Sequence, residues 1–135
     1  MAYSQSKSAE IYVTNELDRR YGNKGLHASV HPGRIGTNLS RHLGPEFVAI
    51  FMNDEKLLKD LKTAEQGAAT TVIAAVGKEW EDKGGKYLES CEESKRDEDD
   101  GNSLGTGYIS WSYDPKAEAQ LWKDSLKIVR ISDDQ

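Results

Sequence analysis

What most limits the fold of this chain is an order that occurs twice: an amphipathic helix followed at once by a short strand. In residues 4–20, Ala9, Val13 and Leu17 recur every four positions with Tyr12 beside them, while Glu10, Asp18 and Arg19 take other faces, which predicts a helix. Gly22 and Gly25 end it. Leu26, Ala28 and Val30 then alternate with His27, Ser29 and His31, a strand pattern closed by Pro32 and Gly33. The second instance begins at Thr63, whose spacing to Gln66 is that of a capping box, and continues through the apolar face of Ala68, Ala69, Val72, Ile73 and Val76 to Gly77. Gly84 and Gly85 lead into Lys86-Tyr87-Leu88-Glu89, a second strand. Helices that each hand over to a strand predict α/β layering.

The remaining segments attach to this frame. From Gly44-Pro45 to Lys62 a second helical stretch carries Phe47, Ile50, Phe51, Leu57, Leu58 and Leu61. Residues 92–107 hold charge and glycine with almost nothing to bury and predict a mobile surface loop. Asp114 as cap and Pro115 at the first helical position open a last helix, with Leu121, Trp122, Leu126 and Val129 facing the body. At 135 residues this is material for one domain.

Composition narrows the partners. A net charge of -5 gives no reason to expect binding to nucleic acid phosphates. The longest strongly apolar run, 47–52, is far shorter than the roughly 20 residues of a membrane-spanning helix. The first residues have no apolar stretch after a basic end, and the single cysteine, Cys91, can form no internal disulfide, so a cytoplasmic setting is expected. Zinc would need about four ligands, the candidates are Cys91 and three histidines, and His27 and His31 lie four apart in the expected strand, so no metal site is expected.

Chemistry concentrates at the start of the chain. Tyr3 and Lys7 are four apart, so a helix that includes both stacks them one turn apart on one face. A neighbouring ammonium favours the phenolate, which makes a phenol a usable acid or base near neutral pH. A tyrosine and a lysine at this spacing are also common as a packed ring and a solvated charge; what adds meaning is the order Tyr-Ser-Gln-Ser-Lys, helix, strand, then His-Pro-Gly-Arg-Ile-Gly-Thr-Asn-Leu at 31–39.

With that order, with Lys62-Thr63-Ala64-Glu65-Gln66-Gly67-Ala68 and Gly84-Gly85-Lys86-Tyr87-Leu88, and with Asp114-Pro115 and Leu121-Trp122, the sequence resembles the short-chain dehydrogenase/reductase family, in its retinol dehydrogenase-like branch, from Tyr3 to about Val129. The resemblance implies the C-terminal half of a Rossmann-like doubly wound fold, helix-rich with about two parallel strands, in one partial domain spanning 1–135. It implies Tyr3 as proton donor and acceptor to a carbonyl/alcohol pair, and Lys7 as the group that holds the nicotinamide ribose and lowers the phenol's pKa. It implies NAD or NADP as cofactor, lying against Pro32, Gly33, Ile35 and Thr37, and a small apolar substrate covered by the segment 39–61, where Phe47, Ile50, Phe51 and Met52 could equally be core.

The N-terminal, dinucleotide-binding half of that family is expected to be absent: no G-x-G-x-x-G joins a strand to a helix. The family's active-site serine, about a dozen positions before the tyrosine, also has no counterpart, because Ser4, Ser6 and Ser8 project from the Tyr3 helix itself. Two readings follow: the catalytic half of an oxidoreductase, inactive alone, or a non-catalytic relative that forms a homodimer or pairs with a full-length homologue.

Overall fold

A computed structural model describes residues 2–22, 28–42, 44–101 and 105–133. Helix α1 spans Ala2–Tyr21, strand β1 Ala28–His31, strand β2 Arg34–Ile35 and, after a 3₁₀ turn at Asn38–His42, helix α2 Pro45–Met52. Helix α3 (Glu55–Lys59), strand β3 (Leu61–Lys62) and helix α4 (Ala64–Val76) follow; strands β4 (Lys86–Glu89) and β5 (Glu92–Glu93) and helix α5 (Pro115–Val129) complete the chain. Leu26 and His27 of the expected first strand lie outside the described residues.

The two strands read from the sequence pair with each other in parallel, Ala28 opposite Lys86 through His31 opposite Glu89. The crossover between them contains α4, which packs on both strands. Leu88, at 1% exposure, is the centre of the apolar core, with Trp80 and Ala74 buried around it and Ala28, Val30 and Ile73 against them. The helix-rich, partly parallel, Rossmann-like architecture is therefore present.

Capping explains the helix boundaries. Thr63 Oγ1 accepts the Gln66 N–H at 3.2 Å while Gln66 Oε1 accepts the Thr63 N–H at 2.9 Å, the reciprocal pair expected at the start of α4. Asp114 accepts the amides of Lys116 and Ala117, with Pro115 opening α5. The single helical stretch expected over 44–62 is instead two helices. Asp54 adopts an extended backbone and accepts the Lys56 and Leu57 amides, starting α3 anew, and this side-chain alternative to a continuing helix is what breaks the stretch.

The pairings β2 with β3 and β4 with β5 were not legible, since each involves only two residues per strand, too short for alternation to register. The segment expected as a mobile loop opens with β5. It then ties down through the Asp97 amide to the Tyr108 carbonyl (2.8 Å), the Gly107 amide to Glu89 (2.9 Å) and the Ser110 amide to Asp99 (2.8 Å).

Two further junctions lock the body together. The Asp18 carboxylate of α1 occupies the space a side chain at Gly84 would need and approaches the Cβ position of Gly85 within 2.9 Å, so the glycine pair before β4 is a seat for the end of α1. Between α1 and α5 the fully buried residues are polar. Asn15 donates to Glu118 Oε1 (2.8 Å) and to the Ser112 carbonyl (3.1 Å), Arg19 bridges Glu16 and Glu118, and Arg20 joins Glu16 (2.7 Å) to Asp133 (2.9 Å). Arg20 also lies 5.1 Å from the Trp122 ring. Glu118 is 1% exposed, and truncating it removes one of the two acceptors of the Asn15 amide and one of the two carboxylates that Arg19 bridges. Glu118→Ala is expected to lower unfolding stability by about 2 kcal/mol in a urea titration, the order for losing hydrogen bonds to a buried charged acceptor.

Candidate functional site

Helix α1 begins early enough to include both Tyr3 and Lys7, and their spacing puts the Lys7 ammonium 5.8 Å from the centroid of the Tyr3 ring. Tyr3 is 60% exposed, so ring and cation share an open face of the first turns. Glu10, one turn further on, was not singled out from the sequence as part of this group. Lys7 Nζ donates to both of its carboxylate oxygens at 2.9 Å. That hydrogen bond raises the Lys7 pKa above the ordinary lysine value; desolvation opposes it, and the charges of Glu10 and Tyr3 assist it. The i, i+3 spacing of a lysine and an acid is the signal that could have disclosed the contact.

The Pro-Gly loop leaves the end of β1. Gly33 has a φ of +87°, a conformation that favours glycine, and a side chain there would meet the Lys62 side chain at 2.7 Å. Pro32 is exposed beside it. Ile35 belongs to β2, opposite Lys62 of β3, and its side chain lies where a Cβ on Gly67 of α4 would stand. The isoleucine is thus pinned onto the helix, and its backbone is what the loop can offer a ligand. Thr37 Oγ1 accepts the Leu39 amide at 3.3 Å at the start of the 3₁₀ turn. In the segment read as a substrate cover, Met52 is exposed, while the side chains of Phe47, Ile50 and Phe51 lie outside the described residues.

A cleft of about 330 Å³ opens at this end of the sheet, with His31, Gly33, Arg34, Lys62, Glu89 and Ser90 among its lining residues; Tyr3 and Lys7 are not. Lys62 Nζ donates to Ser90 Oγ at 3.2 Å, and Arg34 faces Asp60 at 3.6 Å. His31 Nδ1 is 3.2 Å from Glu89 Oε1, and Glu89 Oε2 receives the Gly107 amide at 2.9 Å and the Ser94 hydroxyl at 3.4 Å. The hydrogen bond with His31 is the largest influence holding the Glu89 carboxyl below its usual range; burial opposes it, and the Gly107 amide and Ser94 assist it. A carboxylate so favoured contributes stability that is present above its unfolded-state pKa and fades as pH falls through the lower, folded value. The His31–Glu89 pair and Lys62 escaped sequence reasoning because only strand register brings them to one place.

No family model matches the chain. A short-chain dehydrogenase/reductase, prx1, from Penicillium roqueforti is 46% identical over 133 residues, which are 98% of this chain and 39% of the relative. The chain belongs to the short-chain dehydrogenase/reductase family. Oxidoreductase calI of Penicillium decumbens is 38% identical over 136 residues, 96% of this chain and 39% of the relative. Human polyprenol dehydrogenase is 33% identical over 137 residues, 98% of this chain and 37% of the relative. This short-chain dehydrogenase/reductase sequence therefore spans about two fifths of the length of the curated relatives it matches. Among its described residues no helix is long and apolar enough to cross a membrane.

Replacing Glu10 with Gln removes the charge by which that residue raises the Lys7 pKa and leaves a neutral amide oxygen as the weaker acceptor. The amine of the Glu10→Gln variant is expected to titrate lower than in the parent, as followed by the NMR shift of the lysine ε-carbon between neutral and alkaline pH.

Proposed function

We propose that the Tyr3–Lys7 face and the Pro32–Gly33 loop are the proton-transfer and cofactor-facing parts of an NAD(P)-dependent oxidoreductase that interconverts a carbonyl and an alcohol. The observation that carries this reading is the Lys7 ammonium beside an exposed Tyr3 ring, 5.8 Å apart, in a chain whose relatives are named oxidoreductases. The residues fit a flat nicotinamide and its ribose. Gly33 lines the cleft with no side chain of its own, beside the Lys62 side chain, and Lys7 is open to solvent.

Bound NAD or NADP would supply hydride in reduction and accept it in oxidation. Tyr3 gives its phenolic proton to the substrate's oxygen when a carbonyl is reduced and takes it back when an alcohol is oxidised. Lys7 holds the ribose hydroxyls through N–H donation, and its positive charge stabilises the charge that develops on the Tyr3 oxygen as the proton leaves. Glu10 keeps the amine protonated and restrains it on the helix face. The backbone of Pro32, Gly33 and Ile35, with Thr37 beyond them, lines the nicotinamide side, and the apolar segment through Met52 favours a small apolar substrate. The length of the relatives leaves room for the dinucleotide phosphates to be held by residues other than these.

A second reading has its own support. Val72 and Val76 on α4 are 56% and 76% exposed, an apolar pair that a second copy of the chain or a full-length homologue would cover. In this reading the chain is a non-catalytic partner.

Titration with reduced nicotinamide cofactor, followed by energy transfer from Trp80, Trp111 and Trp122, separates the two. Saturable transfer is expected, weakened about tenfold in Lys7→Ala, as for loss of a charge-assisted hydrogen bond. Tyr3→Phe is expected to bind nearly as well while cofactor-dependent reduction of an apolar ketone drops about 10²–10⁴-fold. Absence of saturation at millimolar cofactor, with a concentration-dependent dimer in sedimentation, would overturn the catalytic reading in favour of the second.

A further inference from the structure

His31 ends β1 directly opposite Glu89 at the end of β4, and its Nδ1 is asked to do two incompatible things. The Gly33 N–H points at it from 3.3 Å, which requires a lone pair on that nitrogen. Glu89 Oε1 stands 3.2 Å from the same nitrogen, and an ionised carboxylate attracts it only when it carries a proton. A single ring nitrogen serves one of these partners at a time. With the proton on Nε2 alone, Nδ1 accepts from Gly33 and faces the carboxylate with a lone pair. With Nδ1 protonated, the imidazole donates to Glu89 and the Gly33 amide loses its acceptor.

We infer that Glu89 is a positioning residue that acts through His31 on the Pro-Gly loop, so that a proton on Nδ1 releases the Gly33 amide from the imidazole and makes it a free donor toward the cleft. This rests on the reading of Gly33 as cofactor-facing only for its use; the exchange of partners itself stands on the His31 geometry.

The surroundings of His31 favour such an exchange. From β4, Glu89 supplies the opposing charge, and the Tyr87 ring stacks on the imidazole with centroids 6.5 Å apart and planes 28° from parallel. Tyr87 stays neutral across the imidazole range, its pKa pushed up to about 12, chiefly by burial. Arg34 and Asp60, and the two lysines 59 and 62, line the same cleft as His31; Arg34 is occupied with Asp60, Lys59 with Glu55 and Lys62 with Ser90. Glu89 is anchored independently by Gly107 and Ser94, so it is a fixed reference against which the ring changes partner. Gly33, at a φ of +87°, has its conformation set by the loop and not by the hydrogen bond, so its amide can lose the partner without the turn unfolding.

The test follows the Gly33 amide and the His31 ring together by NMR in the intact chain. As pH falls through the imidazole range, the Gly33 amide resonance is expected to move with the same midpoint as the His31 ring, and its hydrogen exchange, corrected for pH, to quicken about fivefold, the equivalent of one ordinary hydrogen bond. In Glu89→Gln the Gly33 amide response is expected to shrink, because the ring has lost the ionic acceptor to which an Nδ1 proton turns. In His31→Asn the amide is expected not to titrate in this range. A His31 ring that titrates while the Gly33 amide stays still, or a Gly33 response undiminished in Glu89→Gln, overturns the inference. Reduced nicotinamide affinity measured over the same range tests the other claim: partner exchange without cofactor binding rejects the cofactor-facing reading of the loop and leaves the exchange standing.

Discussion

The parallel pairing of β1 with β4 is the constraint on which the other arrangements depend. It unites two segments far apart in sequence, with α4 in the crossover, and it sets Leu88 against Val30 and Ala28 as the core. Register then decides what meets at the sheet's end. Because His31 is opposite Glu89, the residue that starts the Pro-Gly loop touches the carboxylate that holds the Gly107 segment, and the loop inherits its position from strand pairing. A slip of one residue would turn each side chain of β1 to the other face and separate this pair.

The first helix is held to the rest of the body by polar contacts as well as apolar ones. Its stripe of Ala9, Tyr12, Val13 and Leu17 is only half-buried, while Asn15 and Glu16 are buried outright against α5. Tyr12 adds a hydrogen bond to the Trp111 carbonyl at 2.7 Å, and Asp18 reaches the glycines before β4. These directional contacts fix the rotation of α1 about its axis, and with it the face that presents Tyr3 and Lys7.

What the sequence disclosed was whatever local chemistry determines: the period of α1, the reciprocal cap of α4, the Asp-Pro start of α5 and the strand at Lys86–Glu89. The helical spacing of Tyr3 and Lys7 likewise became a spatial one. What stayed hidden depends on partners distant in the chain or on elements too short to show a period. Asp54 interrupting a helical stretch, the two-residue strands β2, β3 and β5, and Asp18 occupying the space above Gly84 belong here. Buried Glu118 looked like any helix carboxylate until Asn15 and Arg19 came within reach.

Gly67 and Ile35 share one space that admits a single occupant, since the isoleucine side chain fills the place of any Cβ on the helix. The consequence is a rule of exchange between positions. A larger residue in α4 is tolerable only when the one in β2 shrinks, so across related chains the two are expected to vary as a couple, and an isolated larger residue at Gly67 would force the Ile35 side chain from its place beside the loop toward Thr37.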